Sequence, residues 1–240
     1  MKHTYKNNND NNMSVLEHLI ELRERIIIAF LIFMIITIIC LIYAKQIAMI
    51  LQQPAIGIKF LQLAPGEYFF VSIKIALYLG IMISSPFSIY QLMLFILPGL
   101  TQKETKYIIP TITASIVLFF IGIIFSYQIL IPAALNFLIN YGSDIIEPIW
   151  SFEEYFNFII LLLFSTGLIF QIPILQILLG SFHIIPKETM IKYWKYVAFI
   201  STIIAAILTP STDPITQIFM TIAILLLYFS GIFILQILNK

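Results

Sequence analysis

Between Arg25 and Lys45 the chain reads IIIAFLIFMIITIICLIYA, residues 26–44, nineteen positions without a charge. At the rise of an α-helix such a run covers roughly 28 Å, close to the ~30 Å hydrocarbon core of a bilayer. The rest of the chain has the same character. Of its 240 residues 60% are hydrophobic and only 10% are charged, where soluble domains carry about 25%. A protein this small cannot bury that much apolar surface against itself, so its solvent is lipid. The net charge of +1 argues against a nucleic-acid binder. One cysteine, Cys40 in mid-run, excludes an internal disulfide.

Working outward, further apolar runs predict five more spans: 69–97, 108–131, 155–181, 193–208 and 215–237. Residues 1–13 are polar and Asn-rich and read as a disordered tail; residues 14–240 read as one six-helix transmembrane domain. Pro110 is expected in the first turn of span three, where its missing N–H does no harm. Span five, at sixteen residues, reaches only about 24 Å and predicts local thinning of the bilayer. Pro86 and Pro173 are expected to kink spans two and four. Gly80, Ser84, Gly122, Ser126 and Gly167 are expected where helices approach closely. Six spans put both termini on one side. Ten of the thirteen Lys and Arg residues fall on that side, leaving Lys45, Lys59 and Lys74 on the other. The expected loop 131–154 carries Asp144, Glu147, Glu153 and Glu154 and no base. Basic residues favour the cytoplasmic face, so both termini are predicted cytoplasmic, or stromal in a plastid.

Two stretches at that face carry candidate chemistry. Ser14 and Glu17 form a capping box ahead of an amphipathic segment expected to lie at the interface before span one. On it Glu17, Glu21 and Glu24 share a polar face. Residues 95–104, FILPGLTQKE, follow span two and bring Glu104 beside Lys103 and Lys106. Two carboxylates, Glu21 and Glu104, facing one groove would suit a ligand with two guanidinium groups, because Arg and carboxylate pair in a planar fork. The plainer alternatives are an intrahelical Glu21–Arg25 pair, a solvated Glu104, a packing role for Gln171 and an N-cap role for Asp213. No Cys/His metal spacing, nucleotide-binding loop or nucleophile–base pair occurs, so neither cofactor nor enzymatic activity is expected.

Taken in order, these segments resemble the twin-arginine translocase family TatC. His18-Leu19-Ile20-Glu21-Leu22-Arg23 is similar to its N-terminal signature, and Phe95 through Glu104 to its first cytoplasmic loop. Ser84 through Gln91 resembles its second span and Phe170-Gln171-Ile172-Pro173 its fourth. Leu208 through Gln217 resembles its last outer loop in the cyanobacterial and plastid form. The resemblance covers about 14–238. It implies a concave, glove-like, six-helix receptor for Arg-Arg signal peptides of folded precursors, exported at the expense of the proton-motive force. It also implies small single-span partners of the TatA and TatB kind, docking along spans five and six, and a homo-oligomeric receptor complex in a thylakoid or bacterial plasma membrane. By position it assigns signal-peptide binding to Glu21, Glu104, Phe95, Arg23 and Lys103, and partner-docking or structural roles to Pro54, Gln171 and Asp213. Gln171 departs from the bacterial members of the family, which often have Glu there; an amide cannot ionise, which puts a proton-coupled role in doubt. The competing expectations are a transporter for a small cationic solute, which needs ionisable groups at the bilayer midplane, and a structural subunit of a redox complex.

Overall fold

The computed structural model describes residues 15–96, 102–141, 147–181, 184–209 and 214–238, with only the backbone described for 102–109. The expected tail 1–13 and Asp213 lie outside these residues. Helix α1 (Val15–Ile42) is followed by the short α2 (Ala44–Gln52) and a 3₁₀ turn, Gln53–Ala55. Next come β1 (Lys59–Leu61), α3 (Glu67–Ile96) and α4 (Gln102–Phe125), which runs through a π-turn at Ser126–Leu130 into α5 (Ile131–Asn140). The second half holds β2 (Ile149–Ser151), α6 (Phe152–Ile169), α7 (Ile172–Ser181), α8 (Lys187–Lys192), α9 (Trp194–Leu208) and α10 (Pro214–Leu238). Among the described residues five helical paths are long and apolar enough to cross a membrane, and α9 is a shorter sixth. Its fifteen residues span about 22 Å, short of the core as expected.

Three expectations are corrected. The amphipathic segment is not a separate interfacial helix: α1 continues unbroken through Arg25 and Ile26 into the span, since nothing between Val15 and Ile42 is a helix breaker. Helix α4 starts at Gln102, so Pro110 lies inside it rather than in its first turn. The expected loop from residue 131 is largely helix, to Asn140. Pro132 opens α5, and the π-turn just before it widens the helix enough to pass the residue that lacks an N–H.

The two prolines expected to kink spans two and four have different surroundings: α3 runs on through Pro86, while span four breaks before Pro173. Pro86 cannot donate to the carbonyl of Met82, and the Ser85 hydroxyl donates to that oxygen instead, at 2.7 Å. Pro173 follows a true break: Phe170 and Gln171 form a turn between α6 and α7. Gly80, Gly122 and Gly167 are close-approach points as expected. A Cβ on Gly80 would stand 2.2 Å from Thr37 Oγ1 on α1, one on Gly122 2.8 Å from the Phe170 ring, and one on Gly167 2.8 Å from the Phe119 ring.

Buried side chains form three clusters. Val71, Ile75, Leu135, Ile159 and Leu162 join α3, α5 and α6. Leu130, Ile169, Ala205, Met220 and Ile224 join the π-turn to α6, α9 and α10. Ile177, Met190, Tyr228 and Leu235 join α7, α8 and α10. Helix α1 packs chiefly on α3 and leaves Leu31, Ile35, Ile38 and Ile42 exposed, the surface of a helix solvated by lipid tails.

At the outer end a small feature escapes the sequence. Strands β1 and β2 pair in parallel, Phe60 opposite Trp150. Two strands alone are marginal; this pair is held by Glu67, which is 4% exposed. Its Oε2 accepts from the backbone N–H of Leu63 at 2.6 Å and of Ala64 at 3.0 Å, and its Oε1 from that of Glu153 at 2.8 Å. One carboxylate thus ties the start of α3 to the start of α6. Beside it Lys74 pairs with Glu153 and reaches Asn157.

Candidate functional site

The cytoplasmic-side ends of α1 and α3 lie side by side, because α1 enters the membrane where α3 leaves it. Two contacts fix them there. The imidazole of His18 stacks on the Phe95 ring with centroids 4.2 Å apart and planes 17° from parallel. One turn and more further along α1, Arg25 Nη1 donates to Gln91 Oε1 of α3 at 3.3 Å. Gln91 is 6% exposed, a polar side chain that a span buries only against another helix.

Arg25 also turns back on its own helix: Nη2 donates to Glu21 Oε1 at 3.2 Å. With Glu one turn N-terminal to Arg, this is the favourable order for such a pair. Its side chains are 30% and 19% exposed, so it contributes about 0.5 kcal/mol. The intrahelical pair expected as the plainer alternative is therefore present, but it occupies only half of the carboxylate. Glu21 Oε2 is buried and, among the described residues, has no hydrogen-bond partner. A buried carboxylate oxygen left unpaired costs free energy until a donor reaches it. A groove of about 370 Å³ along the same helix is lined by Glu17, Ile20, Glu21, Glu24, Arg25 and Ile28. Three carboxylates, one guanidinium and two isoleucines make up this lining.

The other expected residues fall in different places. Arg23 is exposed on α1. Lys103 and Glu104 lie in the first turn of α4, and their side chains are outside the described residues, so the pairing of Glu104 with Glu21 stays an expectation. Pro54 belongs to the opposite end, in the 3₁₀ turn after α2. There two tyrosines hold the corner: Tyr155 donates to the Leu51 carbonyl at 2.7 Å and Tyr127 to that of Ile50 at 2.8 Å. Gln171 sits at the α6–α7 break and is closed on α4: Ser115 Oγ donates to its Oε1 at 2.5 Å, and its Nε2 donates to the Ser115 carbonyl at 3.1 Å. Sequence reasoning missed Gln91, Ser115 and His18 as contact residues. The signal for the first was there, an amide inside an otherwise apolar run; nothing marked which helix it would meet.

Comparison with known proteins agrees with this arrangement. The family model described as Sec-independent protein translocase protein (TatC) matches residues 17–222. An uncharacterized tatC-like protein, ycf43, of Gracilaria tenuistipitata var. liui is 68% identical, over 95% of this chain and 96% of its own. The Sec-independent protein translocase protein TatC of Synechocystis sp. is 48% identical, over 96% and 91%. A crystal structure of the twin arginine translocase receptor TatC superposes with a TM-score of 0.80 at 35% identity, covering 93% of this chain and 100% of that one. Chloroplast and cyanobacterial relatives place the protein in a thylakoid or bacterial membrane. It is a translocase component rather than an enzyme, a six-span helical membrane protein, and the chain belongs to the TatC family of Sec-independent protein translocases.

Proposed function

We propose that this chain is the receptor subunit that captures Arg-Arg signal peptides of folded precursors, with Glu21 and Glu104 as the two carboxylates that take the two guanidiniums. One observation carries the reading: Glu21 Oε2 is buried and, among the described residues, without a hydrogen-bond partner, on a residue that lines an acidic groove along α1. A guanidinium satisfies both oxygens of a carboxylate at once, where an ammonium offers a point charge. Phe95, stacked on His18, Arg23 and Lys103 are the further residues assigned to signal-peptide binding. Export draws on the proton-motive force. Gln171, a neutral amide bonded to Ser115, gives a cationic-solute transporter no ionisable group there.

Single-span partners of the TatA and TatB kind dock along α9 and α10. The short α9 supports this: Phe199, Ile200, Ile203 and Ile207 are all exposed on a helix of only fifteen residues. Pro54 and Asp213 act at the outer side, in partner docking or in holding the outer loops. The favoured home is a plastid thylakoid, in a homo-oligomeric receptor complex.

The test is titration of the detergent-solubilised chain with a labelled Arg-Arg peptide. Glu21→Gln and Glu104→Gln are each expected to weaken binding, and the corresponding Asp variants less so. Unchanged affinity in the Gln variants removes the reading.

A further inference from the structure

We propose that Arg25 is a resident competitor for the ligand carboxylate: its guanidinium holds Glu21 in the ligand-free chain, and an incoming guanidinium gains both oxygens only by displacing it toward Gln91. The inference rests on Glu21 being a ligand carboxylate. Its basis is a three-residue geometry. Arg25 Nη2 caps Glu21 Oε1 at 3.2 Å, Nη1 of the same group lies 3.3 Å from Gln91 Oε1, and Glu21 Oε2 has no partner among the described residues. The carboxylate is therefore half satisfied by the chain's own arginine.

The division of labour follows from donor geometry. A guanidinium binds a carboxylate best with two parallel N–H···O bonds. While Arg25 keeps Oε1, only Oε2 is left for a ligand, which would then stand beside a like charge. Releasing Oε1 costs the chain the Glu21–Arg25 pair, which is weak because both side chains are partly solvated. Gln91 lowers that cost, since its buried amide oxygen keeps one bond to Arg25 after the other is given up. An ammonium cannot form the fork, so it recovers less of what displacement costs. Arg25 thereby raises the threshold for any cation, and a guanidinium is the group best equipped to cross it.

The experiment measures affinity of the full-length chain in detergent for synthetic peptides with Arg-Arg or Lys-Lys, alongside thermal melting. Arg25→Gln is expected to tighten Arg-Arg binding roughly two- to fivefold, the reach of a partly exposed ion pair. Arg25→Lys, which keeps the charge and loses the fork, is expected in between, and it serves if the Gln variant does not melt like the parent. In a Glu21→Gln background the gain from Arg25→Gln is expected to vanish, because the competition has no object. Weaker or unchanged binding in a normally melting Arg25→Gln or Arg25→Lys chain overturns the competitor role. So does an equal gain in the Glu21→Gln background, which marks a simple through-space charge effect. If Glu21→Gln alone leaves affinity unchanged, it is the ligand role of Glu21 that fails, and the competitor with it.

Discussion

Two glutamates at opposite ends of the bundle show what makes a carboxylate structural or available. Glu67, on the outer side, accepts three backbone N–H bonds and ties α3 to the start of α6. Glu21, on the cytoplasmic side, has one oxygen held by Arg25 and the other, among the described residues, unpaired beside an acidic groove. The first has nothing left to offer a ligand. The second is stabilised by a donor it does not yet have. Satisfaction, more than position in the chain, separates a cap from a binding group.

The contrast can be broken in a graded way, ranked by effect on peptide binding. The largest effect belongs to Glu21→Gln combined with Glu104→Gln: affinity for an Arg-Arg peptide is expected to fall more than tenfold, since charge-assisted bonds contribute about 1.5–3 kcal/mol each. An intermediate loss is expected from Gly80→Ala. Its Cβ would press on Thr37, within 3.2 Å of that residue's Cα, and overpacking of this kind costs about 1–3 kcal/mol. Melting should fall, and binding with it, because α1 and α3 hold the site jointly. Smaller still is His18→Ala, with a loss of roughly two- to tenfold if the ring pair contributes as aromatic pairs do; His18→Phe should restore most of it. Glu67→Gln is expected to lower the melting temperature, having one acceptor oxygen where the carboxylate has two, and to leave affinity per folded molecule unchanged. A fall in affinity there would erase the distinction between the two glutamates.

Much of this was legible in the sequence, and what was not has physical causes. Charge-free runs and the asymmetry of Lys and Arg give six spans and their orientation, because lipid enforces both. Gly80, Gly122 and Gly167 announce close packing, because only a missing Cβ permits it. Helix ends were less legible. Span three is expected to end at 131, yet a π-turn carries the helix past Pro132 to Asn140. The β1–β2 pair is invisible locally, since three-residue strands far apart in the chain have no pattern of their own. At the site, Glu21 and Phe95 stood out through their motifs. Their contacts, Arg25 to Gln91 and His18 to Phe95, depend on how α1 and α3 align, which neither helix encodes alone.

The most direct measurement places a photoreactive amino acid at Ile20, on the groove beside Glu21, and follows crosslinking to a precursor in membranes. A strong adduct with Arg-Arg, a weak one with Lys-Lys, and loss of the Arg-Arg adduct in the double Gln variant is the predicted result. An Arg-Arg adduct of undiminished strength in that variant contradicts carboxylate recognition outright.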